Sequence, residues 1–227
     1  MNILAFMAHP EDAAFFCGGT LLKYHDLGHK IYIAVATGDV LPLGVEPLEA
    51  EVRLLGFTEG QLFDDMTSRA AALTAIRWAN ADIIITHAPW DADTDHAIAS
   101  KLMADSLLIV GGKLHPAHLP PINKLPHLFY TDTKFGNNLE NRPYFHNYRK
   151  TDQTFYLTPG VHSNDWYEPE VYVDISKYME QKTAMFSDPE AILVDNRMRG
   201  IQMGVAYAEG FSGHRIVGHI ADYRLLP

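Results

Sequence analysis

Apolar and polar positions alternate along the first half of the chain in blocks that predict strands and helices in turn. Ile3–Met7 is a short apolar run ended by His-Pro, which suits a strand buried on both faces of a parallel sheet. An amphipathic stretch through Leu21, Leu22, Tyr24 and Leu27 follows Gly18-Gly19-Thr20, and Gly28 supplies its stop. Ile31–Ala36 is a β-branched strand broken by Thr37-Gly38-Asp39. Glu46–Leu55 reads as a helix ending at Gly56, and Gln61–Phe63 as a short strand. Thr67–Ala79 has helical composition, Ile83–Thr86 is a core strand, and the spacing from Thr94 to Val110 is again helical. Single helices between strands imply right-handed crossovers, so the expectation is an α/β, Rossmann-like, open and mostly parallel sheet flanked by helices.

The pattern changes between Gly111 and Pro169, where Pro, Asn and His are frequent and Leu128–Thr131 is the one clear strand. A loop-rich insertion of this size predicts a lid or a subunit contact. Regular structure resumes with a strand at Val171–Ile175 and helices over Lys177–Met185 and Pro189–Gly204. The chain carries no internal repeat and no evident linker, so residues 1–227 are expected to form a single domain.

Composition narrows the function classes. A net charge of −10 without Lys/Arg clusters argues against a nucleic-acid partner. One cysteine, Cys17, excludes an internal disulfide and any cysteine-based zinc motif, which suits a cytoplasmic location. The apolar start is too short for a membrane span and lacks the charged start of a signal peptide. Aromatic residues in the middle segment, from Tyr144 to Trp166, motivate an expected homo-oligomer.

Two clusters carry the candidate chemistry. His9-Pro10-Glu11-Asp12 directly follows the first strand, and Asp91-Ala-Asp93-Thr-Asp95-His96 follows the Ile83–Thr86 strand. Loops at the carboxyl ends of parallel strands project into the usual ligand site. The first cluster offers two metal ligands and one free carboxylate, although a helix-capping turn uses the same residues. The aspartates of the second complement a helix N-terminus, but that role does not account for His96. A facial His-Asp-His set leaves positions open for water and substrate. Water on such a metal has a pKa of about 7, and a neighbouring carboxylate relays its proton to the leaving amine. Glu11 is placed for that base role, and Asp95 for accepting a hydrogen bond from a ligating histidine. Zinc suits the donors, as do other divalent transition metals such as iron, cobalt or nickel. Gly18-Gly19-Thr20 lacks the spacing of a phosphate loop and is read as a tight turn behind the metal site.

The run His9-Pro-Glu-Asp-Ala-Ala-Phe-Phe-Cys-Gly-Gly-Thr-Leu resembles the His-Pro-Asp-Asp…Gly-Gly-Thr signature of the PIG-L/LmbE-like deacetylases. Asp95-His96, Pro126-His-Leu-Phe-Tyr, Glu168-Pro-Glu-Val-Tyr-Val-Asp-Ile-Ser with Lys182, and Gly204-Val-Ala-Tyr-Ala-Glu-Gly-Phe extend the likeness over nearly the whole chain. The resemblance implies a zinc-dependent de-N-acetylase acting on a small N-acetylated substrate of the N-acetylglucosamine-conjugate type. It implies His9, Asp12 and His96 as metal ligands and Glu11 as general base. The chain departs from the family pattern at Glu11 (usually Asp), at Ala14 and Phe16, and at Asp93, where many relatives carry an oxyanion-stabilising histidine. His214 is the candidate to replace that donor, with an exposed turn as its other reading. The departures leave open a relative that binds metal or sugar without turnover, or hydrolysis of a different amide or an ester.

Overall fold

A computed structural model of the chain describes residues 1–42, 44–91, 93–112, 118–132 and 169–214. Among these residues seven strands form one sheet in the order β3-β2-β1-β4-β5-β7-β6. The strands are β1 (Asn2–Met7), β2 (Lys30–Thr37), β3 (Glu51–Phe57), β4 (Ile83–Thr86), β5 (His127–Thr131), β6 (Val171–Asp174) and β7 (Ala208–Gly213). The first five run parallel, β7 pairs antiparallel with β5, and β6 pairs antiparallel with β7. The sheet is thus the mostly parallel one expected. Residues 113–117 and 133–168, most of the expected lid or subunit contact, lie outside the described residues.

Among the described residues, five helices cover the sheet: α1 (Asp12–Asp26), α2 (Met66–Ala79), α3 (Thr94–Leu107), α4 (Met179–Ala184) and α5 (Glu190–Met203). The continuous apolar run of β1 follows from burial on both faces. Ile3, Ala5 and Met7 join a core with Leu21 of α1, Met179 of α4 and Ile192 of α5. Leu4, Phe6 and Ala8 join a second core with Leu73 and Ile76 of α2 and Leu102 of α3. β1 lies between β2 and β4, so the chain leaves it in one direction through α1 and returns on its other side through α2. This is the switch point at which open α/β sheets bind ligands.

Three expectations are corrected. Glu46–Leu55 is not a helix: a three-residue 3-10 turn at Glu46–Leu48 precedes β3, whose Val52 and Leu54 pack inward while Glu51 and Arg53 face solvent. Pairing with β2 outweighs a composition that suits either state, and a register shift between Val35 and Thr37 accommodates Gly56 at φ +77°. Gln61–Phe63 forms no strand; Leu62 is buried and its N–H is used at the candidate site. Gly18-Gly19-Thr20 is no turn, because it lies inside α1.

Those glycines permit a close approach instead. A Cβ on Gly19 would lie 2.8 Å from three atoms of Ile175. Gly19→Ala gains about 1 kcal/mol of helix propensity but meets an overpacking cost of about 1–3 kcal/mol. A net loss of about 1 kcal/mol is expected in denaturant unfolding, and a more stable variant would show that the contact yields.

Candidate metal centre

The two histidine–aspartate clusters meet at the carboxyl ends of β1 and β4. His9 follows the end of β1, Asp12 is the first residue of α1, and His96 lies in the first turn of α3. All three are buried. His9 Nδ1 and His96 Nε2 are 3.1 Å apart, and each lies 3.3 Å from Asp12 Oδ2. A tetrahedral ion with bonds of about 2.0–2.1 Å holds its ligands about 3.3–3.4 Å apart, so the three atoms have the spacing that one ion requires. Asp12 Oδ1 is buried and has no hydrogen-bond partner among the described residues, and a cation would satisfy it.

The outer nitrogens of both imidazoles are directed by carboxylates. His96 Nδ1 lies 2.9 Å from Asp91, an acceptor that keeps the proton on Nδ1 and turns Nε2 toward Asp12. His9 Nε2 lies 3.5 Å from Asp95, whose oxygens accept the N–H groups of Gly60 (2.6 Å) and Leu62 (3.1 Å). Asp95 thus lies beside His9, and Asp91, which the sequence reading had not singled out, pairs with His96. Arg77 donates to the Val110, Gly112 and Leu119 carbonyls beyond α3.

Glu11 precedes α1 in helical geometry without using its side chain as a cap. Its carboxylate lies within 4.8 Å of ligand atoms on His9 and Asp12, on the partly exposed side of the cluster. Asp93 caps α3, accepting from Asp95 N (2.9 Å) and His96 N (3.3 Å), and also lies within 4.8 Å of His9 and His96. The placement of the second cluster's aspartates at a helix N-terminus holds for Asp93. The His214 N–H donates to Leu128 O, and its Nδ1 lies 2.6 Å from Tyr130 Oη. Among the described residues no contact joins His214 to His9, Asp12 or His96.

His87 was not singled out by the sequence reading. It directly follows β4, is completely buried, and places Nε2 3.2 Å from Asp12 Oδ2 and 2.9 Å from Ala8 N. Its position at a strand's carboxyl end, matching that of His9, was the signal available.

The cluster's charges are strongly coupled. Burial opposes charge on His96, but Asp12 and Asp91 push its pKa up to about 10. The bond to Asp12 raises His9 against the effect of burial. Burial alone would raise Asp12, yet His87, His9 and His96 hold it well below the usual carboxylate range. His96 therefore stabilises the metal-free fold fully below the unfolded imidazole pKa of about 6.5, and this contribution is lost as pH rises toward 10. A metal taking Nε2 must displace that proton. Uptake near pH 7.5 is expected to release protons, and affinity to fall as pH falls. Calorimetry in two buffers of different ionisation enthalpy reads the release; identical heats in both would contradict it.

No family model matches the sequence. The conserved protein TT1542 from Thermus thermophilus superposes with a TM-score of 0.72 at 21% identity, over 97% of this chain and 100% of that one. The N,N'-diacetylchitobiose deacetylase from Pyrococcus horikoshii gives 0.69 at 17% identity, over 98% and 87%. The chain has the fold of the PIG-L/LmbE-like deacetylases. The 4-carboxy-2-hydroxymuconate hydratase GalB from Pseudomonas putida shares this deacetylase fold, at 0.68 and 15% identity over 97% and 100%. The fold therefore fixes no single reaction, and activity has to be argued from the site. No helix among the described residues is long and apolar enough to cross a membrane.

Proposed function

We propose that this chain is a member of the PIG-L/LmbE-like deacetylases, a metal-dependent hydrolase that removes the N-acetyl group of a small amide of the N-acetylglucosamine-conjugate class. The observation that carries the reading is the set of His9 Nδ1, Asp12 Oδ2 and His96 Nε2 at mutual distances of 3.1–3.3 Å, with the Glu11 carboxylate beside it. Two imidazoles and a carboxylate suit zinc first, and iron, cobalt or nickel as well. A metal bound there supplies Lewis acidity, which acidifies water and polarises the acetyl carbonyl. Glu11 takes the proton from the attacking water and delivers it to the amide nitrogen as the C–N bond breaks, giving acetate and a free amine. Asp91 and Asp95 hold the His96 and His9 rings in their ligating orientations.

Asp93 favours a second reading, in which a degenerate relative binds metal or sugar without turnover. A carboxylate beside the cluster opposes the negative charge that develops on the carbonyl oxygen. Its bonds to Asp95 N and His96 N direct part of that charge to the start of α3, which keeps hydrolysis as the leading reading. The two are separated by incubating zinc-loaded protein with N-acetylated amino sugars and simple esters, following acetate and free amine. Equal release of acetate and amine supports deacetylation; ester cleavage alone would redirect the substrate class. No turnover of either by fully loaded protein would favour the binding-only relative.

A further inference from the structure

We propose that His87 is a positioning residue for the metal site, holding Asp12 and the plane of the His96 ring from behind. This rests on the His9–Asp12–His96 reading above. The Asp91 bond fixes one end of the His96 imidazole but leaves the ring free to swing about that bond. The His87 ring removes this freedom: it stacks on His96 with centroids 3.7 Å apart and planes within 11°. Phe16 closes the group, with its ring nearly perpendicular to His87 (5.3 Å) and to His96 (5.6 Å).

His87 is itself held by the sheet. Its backbone follows Thr86, whose hydroxyl donates to Phe6 O at 2.7 Å and ties the end of β4 to β1. Its Nε2 accepts from the Ala8 N–H at 2.9 Å and packs against Asp12 Oδ2 at 3.2 Å, so one side chain contacts both the end of β1 and the first residue of α1. Nε2 engaged with the Ala8 N–H has no lone pair left for an ion, which separates His87 from His9 and His96. In this tautomer it shapes the site without being one of its ligands, and a planar group with an acceptor facing the Ala8 N–H is what the position requires.

The test is zinc affinity, read by competition with a chromophoric chelator, for wild type, His87→Ala, His87→Leu, His87→Gln and His96→Ala, with circular dichroism on each. Loss of groups that orient ligands lowers metal affinity about 10–100-fold, and that loss is expected for His87→Ala. His87→Leu fills the space without a planar face or nitrogen, is expected to fall similarly, and serves where the alanine variant does not fold. His87→Gln, with a planar amide whose oxygen can accept from the Ala8 N–H and whose face can lie against His96, is expected to stay within about tenfold of wild type. Folded His87→Ala or His87→Leu with wild-type affinity, or His87→Gln falling as far as they do, would overturn the proposal alone. Unchanged affinity in His96→Ala would overturn the site reading and this proposal with it.

Discussion

Glu11→Gln is expected to lower turnover by about 10²–10⁴-fold, the usual contribution of a positioned acid or base, while bound metal stays at the wild-type level. The amide keeps the size and hydrogen-bonding reach of the side chain but cannot take a proton from water. Glu11 makes no capping bond that the substitution would break, and α1 begins with Asp12 whichever residue precedes it. The effect should therefore fall on kcat, with little change in melting temperature. Metal analysis and steady-state kinetics on one preparation decide the matter. Undiminished turnover would remove Glu11 from the mechanism, and loss of metal together with activity would recast it as a ligand.

The second large effect concerns a buried ion pair outside the cluster. Lys182 Nζ donates to Glu209 Oε1 at 2.6 Å and to Asn196 Oδ1 at 2.9 Å. The Glu209 oxygens also accept the N–H groups of Gly19 (2.9 Å) and Thr20 (2.8 Å), so a single carboxylate binds α1, α4 and β7 together. Lys182 and Glu209 are both almost wholly inaccessible. Lys182→Met leaves Glu209 as an uncompensated buried charge, and breaking such a pair costs about 3–5 kcal/mol. At about 2–4 °C per kcal/mol for a chain of this size, the melting temperature should drop by roughly 6–20 °C. The double variant Lys182→Met/Glu209→Gln removes both charges and should recover part of that loss. A single variant melting with wild type would contradict this account of how α1, and the Asp12 it carries, is held.

The parallel half of the fold was legible because β1, β2 and β4 are buried on both faces and so appear as unbroken apolar runs. β3 was not, since Glu51-Val-Arg-Leu-Leu suits a helix as well as an edge strand and only its pairing with β2 decides. The sequence of β7, Ala-Glu-Gly-Phe-Ser-Gly, has little strand propensity; its place between β5 and β6 depends on partners distant in the chain. The role of Gly19 depends in the same way on Ile175.

At the candidate site, His9, Asp12 and His96 could be paired from sequence because each follows a strand whose carboxyl end faces the switch point. Asp95 was expected beside a ligating histidine, but which histidine, and the roles of Asp91 and Asp93, were not legible, since alternate acidic positions before a helix are equivalent until its first turn is placed. The structure gives Asp91 to His96, Asp95 to His9 and Asp93 to the helix cap. His87 directly follows the Ile83–Thr86 strand, and its contact with Asp12 emerges only when β1 and β4 lie side by side.

The most direct measurement is elemental analysis of metal in gently purified wild-type protein beside His96→Ala. The account predicts close to one divalent transition metal per wild-type chain, zinc foremost, and little in the variant. Equal metal in the two proteins, or none in wild type even after incubation with zinc, would contradict it.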